Sequence, residues 1–249
     1  MLKQLALATA LIASLGTAHA YQAEIGGSLS VIDPDHADTS TGFALDGTFY
    51  FNPVQVKDSP LNEAAFLDRA SNVNAAISYM DFDVAESTTF GIGVEYFVPN
   101  TDFYVSAGIG QTTVEFDGLE DFDTTSYTAE VGYLPVSGLL IAAGIVGFDS
   151  DEADDTDATL RAKYVTQIGA YDMNFEGGVV FADEEAFALG TDLYLDKTFS
   201  VGLGYTDDGE DDSFQIRAKK FFNQQVSLEG SIDFEENVNV FGLRAAYRF

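Results

Sequence analysis

Charged residues at alternate positions are the residues of this sequence whose types and spacing suggest chemistry. Arg161 and Lys163 are separated by one residue, and so are Arg217 and Lys219. In an extended strand, residues two apart point to the same face. We expect that face either to form cross-strand ion pairs or to create a transverse field that orients polar molecules. The candidate set consists of the basic residues Arg161, Lys163, Arg217, Lys219 and Arg244 and the acidic residues Glu24, Asp46, Glu95, Glu130, Glu176, Asp192 and Glu229.

Residues for covalent catalysis are scarce. The chain has two histidines and no cysteine, so a thiolate nucleophile, a disulfide and a thiolate metal site are all excluded. His19 lies near the amino terminus and His36 lies in an acidic segment. Neither has a serine or aspartate partner at a diagnostic spacing for a nucleophile and its base. The sequence therefore predicts that the protein is not an enzyme.

Acidic runs offer oxygen ligands but no defined metal site. Residues 149–157 and 207–212 are rich in Asp and Glu, yet neither run has the ligand spacing of an EF-hand loop. We expect no cofactor and at most weak, diffuse Ca²⁺ or Mg²⁺ binding at these runs. With 11 Lys and Arg against 41 Asp and Glu, the net charge of −30 argues against a nucleic-acid partner.

Period-two alternation of apolar and polar residues defines the elements that carry these charges. In the last nine residues, Phe241, Leu243, Ala245, Tyr247 and Phe249 alternate with small or polar residues. Similar segments occur near 21–32, 42–52, 72–82, 88–98, 102–116, 124–134, 138–149, 157–168, 171–182, 186–195, 198–206, 212–222, 225–234 and 238–249. An even count of such strands predicts an all-β, antiparallel transmembrane β-barrel of about fourteen strands, with its apolar face toward lipid and its charged face toward the lumen.

The two ends of the chain indicate export. Lys3, an apolar stretch over 5–15 and the small-residue site at 18–20 predict a signal peptide over residues 1–20, which leaves a barrel over 21–249. The alternating strand that ends at Tyr247 and Phe249 is typical of an assembly signal for the outer membrane of a Gram-negative bacterium. We therefore expect the barrel assembly machinery, periplasmic chaperones, outer-membrane lipid and lipopolysaccharide as partners.

The connections between predicted strands are of two kinds. Tight turns alternate with seven acidic connections, which hold 28 of the 41 acidic residues and no Lys or Arg. One rim of the barrel should therefore be anionic. The exception is the long connection over 53–71, in which Ser59 and Pro60 predict the N-cap and first residue of a short helix. This segment either packs on the periplasmic rim or enters the barrel mouth as a plug, and its characteristic residues are Pro60, Leu61, Glu63, Phe66 and Leu67.

Two motifs add a resemblance to a known family. Residues 21–24, Tyr-Gln-Ala-Glu, and the pattern over 60–73 with Pro60, Leu61, Glu63 and Phe66 are similar to the gammaproteobacterial "putative porin" family. The resemblance implies a monomeric fourteen-stranded barrel that passes small solutes. We predict a porin for passive diffusion of small hydrophilic solutes and ions, with a preference for cations because the rim is anionic. The alternative is a closed structural or adhesive barrel that works through its acidic loops.

Overall fold

The fourteen strands form one closed antiparallel barrel, in which every strand pairs with its neighbours in sequence and β1 pairs with β14. The computed structural model describes residues 20–35, 37–82, 85–116, 121–151, 153–209 and 211–249. His36 and all of the predicted signal peptide except Ala20 lie outside these residues. The strands are β1 Ala20–Pro34, β2 Ser40–Gln55, β3 Asn72–Phe82, β4 Ala85–Phe97, β5 Phe103–Phe116, β6 Phe122–Val136, β7 Leu139–Ser150, β8 Asp154–Ile168, β9 Tyr171–Phe181, β10 Ala186–Asp196, β11 Phe199–Asp207, β12 Asp212–Phe221, β13 Val226–Glu235 and β14 Val238–Arg248. The predicted strand count is confirmed.

The barrel turns its large apolar side chains outward. On β4, Phe90, Ile92 and Val94 are 50%, 45% and 38% exposed, while the alternate positions Gly91 and Gly93 face the lumen, as the alternation predicts. Such an outer surface is stable in the hydrocarbon of a membrane. A closed barrel also has no free strand edge there, so the backbone N–H and C=O groups of the strands are hydrogen-bonded. No helix among the described residues is long and apolar enough to cross a membrane.

Two strands, β2 and β6, continue past the ends that the sequence predicts, because the proline near the end of each does not terminate it. β2 reaches Gln55 and includes Pro53, and β6 reaches Val136 and includes Pro135. The β6–β7 register shifts between Tyr133 and Val136, and such an irregularity accommodates a residue without an N–H. The tight turn predicted over 135–138 is therefore shorter, with only Ser137 and Gly138 between the strands.

The barrel closes where the two ends of the chain meet. The amides of Gln22 and Ala23 donate to the carbonyl oxygen of Phe249 at 2.8 and 2.9 Å, and the Phe249 amide donates to the Ala23 carbonyl at 2.9 Å. The rings of Tyr247 and Phe249 stack with centroids 6.2 Å apart. We call this end of the barrel the terminal rim and the opposite end, which carries the acidic connections, the acidic rim.

The connection between β2 and β3 is the helical segment that the sequence predicts. A 3₁₀ turn over Leu61–Glu63 leads into the one-turn helix α1, Ala64–Leu67. Ser59 is not the N-cap that its position suggests: Pro60 holds that place, and the Ser59 hydroxyl donates to the Val56 carbonyl at 2.8 Å. We refer to residues 56–71 as the mouth segment.

Candidate functional site: the barrel lumen

The mouth segment is anchored first at the β10–β11 turn and at β14. The Leu61 amide donates to the Lys197 carbonyl at 2.8 Å, in the turn between β10 and β11. The Leu61 carbonyl accepts from Arg248 Nη1 at 2.8 Å, and Arg248 on β14 is itself only 5% exposed. Leu61 also packs with Tyr21, Tyr50 and other apolar residues in a buried cluster. Backbone, side-chain and apolar contacts together fix this end of the segment.

Glu63 places a buried carboxylate between two strands of the lumen wall. Its Oε1 accepts a hydrogen bond from the Tyr194 hydroxyl of β10 at 2.5 Å, and its Oε2 lies 2.9 Å from Lys163 Nζ of β8. The residue is 1% exposed. A buried carboxylate is stable only with such partners. Glu63 is therefore a polar contact that holds the mouth segment against the far wall, which lies opposite β2 and β3.

Phe66 makes the apolar contact on the remaining side. It packs against the buried cluster of Phe97, Tyr104, Leu134 and Leu140, which come from β4, β5, β6 and β7. Lys163 Nζ also lies 5.1 Å from the centre of the Phe66 ring, which is within cation–π range. In a cyclic order of fourteen strands, β7 lies opposite β14. Between the Arg248 and Phe66 contacts, the mouth segment thus crosses the full width of the lumen.

Burial of inward-facing residues shows that the mouth segment fills the terminal rim. Buried side chains with the inward parity occur around the whole circumference near this rim: Asn72, Tyr104, Leu140, Val165, Asn174, Tyr194, Ser200, Ser227, Ala246 and Arg248. Toward the acidic rim, the inward-facing residues are half-exposed instead. Of the two placements that the sequence allowed, the segment therefore enters the mouth.

Above the mouth segment, the predicted lumen charges lie in ion pairs. Six contacts connect them: Lys163 to Glu176 at 2.8 Å, Lys219 to Glu229 at 3.0 Å, Arg217 to Asp192 at 2.7 Å, Arg161 to Glu130 at 2.7 Å, and Arg244 to Asp46 at 2.5 Å and to Glu24 at 3.0 Å. The remaining candidate, Glu95, accepts hydrogen bonds from the Tyr104 hydroxyl at 2.7 Å and from Asn72 Nδ2 at 2.9 Å. We call this set, together with Glu63, Arg248 and Asp233, the charge belt.

Arg217 and Asp192 pair across an intervening strand. They lie on β12 and β10, and the residue directly between them in register is Gly202 of β11. A Cβ atom on Gly202 would lie 2.2 Å from Asp192 Oδ1 and 2.8 Å from Arg217 Nε. Because neighbouring strands are about 4.8 Å apart, a contact over two strand spacings needs a middle residue without a side chain.

The same arrangement occurs at two other places in the belt. Arg244 on β14 reaches Asp46 on β2 over Gly26 of β1, where a Cβ would lie 2.4 Å from Arg244 Nη2. Arg161 on β8 reaches Glu130 on β6 past Gly144 of β7, where a Cβ would lie 2.8 Å from Glu130 Cγ. Three Arg–carboxylate bridges thus each pass over a strand that carries glycine.

Several belt residues were not among the sequence candidates. Arg248 Nε donates to Glu24 at 2.5 Å, and Gln215 Nε2 donates to Asp233 at 2.6 Å. Tyr104 and Tyr194 supply hydroxyl groups to buried carboxylates. Arg248 and Gln215 could have been found from strand parity alone, since they are two or four residues from Arg217 or Arg244. Asp233 falls at the end of the strand predicted over 225–234 and is also one of the residues counted in the acidic connections; in the structure it lies within β13.

Cavities remain on the acidic-rim side of the belt. One has a volume of about 360 Å³ and is lined by Arg161, Lys163, Arg217 and Gln215, among others. Another has a volume of about 430 Å³ and is lined by Glu95, Glu130 and Arg161 of the belt and by glycine, serine and threonine residues of β4–β6, among others. The described residues contain no group of three or more His, Cys, Asp or Glu side chains arranged to hold a metal ion. The lumen is therefore polar and accessible above the belt and packed below it.

A closed antiparallel barrel with an apolar outer surface and a charged, polar lumen defines the channel class of outer-membrane proteins. The sequence matches the family described as "Putative general bacterial porin" over residues 1–249, and the chain belongs to this family. The family and fold point to a channel of the Gram-negative outer membrane rather than to an enzyme. The terminal rim carries the short turns, as the periplasmic side of such barrels does, and we refer to it as the periplasmic rim below.

Solved structures agree with this assignment. The Acinetobacter baumannii outer membrane protein Omp33 is similar over 92% of this chain and 99% of its own, with 28% sequence identity and a TM-score of 0.77. A mutant of the monoaromatic hydrocarbon channel TodX is 8% identical over 92% of this chain and 90% of its own, with a TM-score of 0.53, which shows the barrel fold alone. No curated protein matches the sequence.

Proposed function

We propose that this porin allows passive diffusion of small hydrophilic solutes and ions, prefers cations, and conducts when the mouth segment leaves the lumen. The observation that carries the proposal is the pairing of a polar, accessible lumen with a closure built from a single connection. The mouth segment, with the inward side chains it buries, lies between the cavities above the belt and the terminal rim. A movement of this one segment would open a continuous path.

Opening of this kind does not require any strand to separate. The mouth segment is covalently joined to β2 and β3 only. Its contacts with other strands and turns include those of Leu61, Glu63 and Phe66, and side-chain contacts of Asp58, Arg69 and Ser71 with Lys197, Asp102 and Phe97 support its edges. Polar contacts of this type can be replaced by contacts with water at modest net cost. The barrel ladders, in contrast, involve every strand and should stay intact.

The preference for cations follows from the sign of the charges along the path. In the belt, six basic side chains face nine acidic ones among the described residues: Arg161, Lys163, Arg217, Lys219, Arg244 and Arg248 against Glu24, Asp46, Glu63, Glu95, Glu130, Glu176, Asp192, Glu229 and Asp233. The acidic connections hold 28 carboxylates, of which Asp233 is already counted in the belt, and no basic residue. A low-dielectric wall strengthens the field of such charges, which should concentrate cations at the entrance.

Single-channel recording with a KCl gradient tests the proposal. We would compare the refolded mature chain with a variant in which residues 57–69 are replaced by a short Gly-Ser linker. The mature chain should show rare or brief openings, whereas the variant should conduct steadily with a reversal potential of the cation-selective sign. A folded variant that stays silent would contradict the proposed path, and an anion-selective potential would contradict the proposed role of the acidic groups.

A closed structural or adhesive barrel is the second candidate, and the seated mouth segment is the observation that favours it. In that case the acidic rim would be the working surface and the lumen would never conduct. The same recording separates the two functions. Silence of both the mature chain and the linker variant, with both correctly folded, would support the closed barrel.

The remaining expectations from the sequence concern maturation and partners. We propose that cleavage after Ala20 releases a mature chain that begins at Tyr21, and that the mature barrel is a monomer which reaches the outer membrane through periplasmic chaperones and the barrel assembly machinery. Intact-mass measurement of protein from outer membranes checks the cleavage site. Light scattering in detergent checks the oligomeric state, and a dimer mass would overturn that part of the proposal.

A further inference from the structure

The wall of the barrel has a notch at the periplasmic rim, because β3 begins later than its neighbours. Asn72, the first residue of β3, pairs with Tyr50 of β2 and with Glu95 of β4. Beyond these pairs, β2 continues to Gln55 and β4 continues to Phe97 without a strand between them. Two strand spacings are about 10 Å, so the notch has roughly the width of one missing strand.

The notch is a cavity of about 730 Å³ that lies between membrane-level and periplasmic groups. Phe51 and Tyr96 line its two sides, and they are 44% and 39% exposed with the parity of the lipid-facing residues. Arg69 and Asp102 line its periplasmic part. Aromatic side chains at this depth are typical of the interface between hydrocarbon and headgroups. The notch therefore spans the level of the lipid headgroups.

The two strand edges that border the notch do not need another strand. The Phe51 amide donates to the Ser71 carbonyl and the Phe97 amide donates to Ser71 Oγ, each at 2.9 Å. Pro53, farther along β2, has no N–H to satisfy. Since these edge amides have partners within the chain, an added peptide strand would gain little from backbone pairing. A ligand in the notch would therefore be recognised by side chains rather than by backbone pairing.

Arg69 and Asp102 provide that recognition. Arg69 Nη1 donates to Asp102 Oδ1 at 2.9 Å and to the Thr101 carbonyl at 3.2 Å, while its Nε and Nη2 donate to no described residue. The two side chains are 36% and 51% exposed. A guanidinium with free N–H groups suits a phosphate, and the neighbouring carboxylate suits a primary ammonium. The two charges lie side by side, as they do in a phosphoethanolamine group.

We propose that the notch binds a zwitterionic phospholipid with a primary amine, from the periplasmic leaflet. The phosphate contacts Arg69, the ammonium contacts Asp102, and an acyl chain lies against Phe51 and Tyr96. A net charge of −30 disfavours anionic lipids near this protein, whereas a zwitterionic headgroup has no net charge to repel. The site differs from the lumen, so it does not depend on whether the barrel conducts.

Native mass spectrometry of the delipidated, folded barrel tests this site with phosphatidylethanolamine, phosphatidylcholine and phosphatidylglycerol as probes. The unmodified chain should retain phosphatidylethanolamine best. Arg69→Gln should weaken its retention about tenfold, by loss of charge-assisted hydrogen bonds. Asp102→Asn should reduce the preference for phosphatidylethanolamine over phosphatidylcholine, because only the primary ammonium donates hydrogen bonds.

Lys220→Gln is the matched control. Lys220 is another partly exposed cation near the same rim, where its Nζ donates to Thr198 and lies 5.6 Å from the centre of the Phe199 ring, but it borders no notch. Its loss should leave lipid retention unchanged. Equal effects of Arg69→Gln and Lys220→Gln, or equal retention of phosphatidylglycerol by the unmodified chain, would overturn the proposal. If Arg69→Gln does not fold, the Asp102→Asn comparison decides alone.

Discussion

Replacement of Glu63 should open the channel, because this side chain joins the mouth segment to two strands of the far wall. In Glu63→Ala, the Tyr194 hydroxyl and Lys163 Nζ both lose their contact with the segment. Tyr194 is only 3% exposed, so its hydroxyl would lose its acceptor without easy access to water as long as the segment stayed seated. The seated state therefore becomes less stable, while the unseated state, in which water reaches these groups, changes little.

The size of the effect follows from the two contacts. An unsatisfied buried hydroxyl costs about 1–3 kcal/mol, and a charge-assisted hydrogen bond is worth about 1.5–3 kcal/mol. The second term is reduced here, because Lys163 keeps Glu176 at 2.8 Å and because the buried Glu63 carboxylate itself pays a desolvation cost. We therefore expect about 3 kcal/mol for Glu63→Ala, which corresponds to roughly a hundredfold rise in the ratio of open to closed channels.

Glu63→Gln is a milder substitution at the same position and should have a smaller effect on open probability. Glutamine keeps an acceptor oxygen for the Tyr194 hydroxyl, but its amide NH₂ group then faces Lys163 Nζ, which keeps Glu176 as its acceptor. We expect about 1.4 kcal/mol, or a tenfold rise in open probability. The control is Glu184→Ala, which removes an equal charge from the exposed connection between β9 and β10 and should leave open probability unchanged.

The assay is open probability in a planar bilayer at fixed voltage, with folding of each variant checked by its mobility in gels before and after heating. The expected order is Glu63→Ala above Glu63→Gln above the unmodified chain. Equal open probability in all folded variants would refute the role of Glu63. An equal increase in Glu184→Ala would instead show that the effect comes from net charge alone.

Three other perturbations test the belt and the seam. Gly202→Ala should displace Asp192 or Arg217, because the added Cβ would lie 2.2 Å from Asp192 Oδ1. We expect noisy single-channel conductance with a normal strand content. An unchanged conductance would show that the Arg217–Asp192 bridge adjusts to the methyl group at little cost. Replacing Arg217 and Lys219 by glutamine in the linker variant should move the reversal potential further toward cations, since two positive charges leave the belt; an unchanged potential would leave them a purely structural role. Deletion of Phe249 should lower the amount of barrel in outer membranes, because three seam hydrogen bonds involve this residue, and normal levels on immunoblots would argue against an assembly signal.

The architecture could be predicted from the sequence because strand parity is a local property. Alternation along β4 and β14 identifies their lipid faces without knowledge of the other strands, and every predicted strand has its counterpart in the barrel. The inward direction of Arg161 and Arg217 follows from the same parity. The strand ends were less predictable, since Pro53 and Pro135 look like terminators but occupy positions where no ladder hydrogen bond is lost.

The partners of the lumen charges could be predicted only where they lie on adjacent strands. Glu176 pairs with Lys163 on the neighbouring strand, as cross-strand pairing predicts. Arg161 instead reaches Glu130 two strands away past Gly144, because that contact depends on stagger and on the residue between the two strands. The placement of the mouth segment was open for a related reason. Leu61 and Phe66 could pack on a rim as well as inside it, and only the fit between their contacts and the opposite walls decides.

The position of Arg248 connects the last step of barrel formation with the state of the mouth. Its guanidinium donates to Glu24 at the start of the chain and to Leu61 in the mouth segment, and it lies 4.5 and 4.6 Å from the ring centres of Tyr21 and Phe221. The β1–β14 ladder joins strands from opposite ends of the chain and so has the largest loop-closure entropy of all the pairings. Arg248 therefore contributes both to the closure of the barrel between β1 and β14 and to the seating of the mouth segment. A barrel halted before sealing should therefore still expose residues 56–71 to protease, whereas the sealed barrel should protect them.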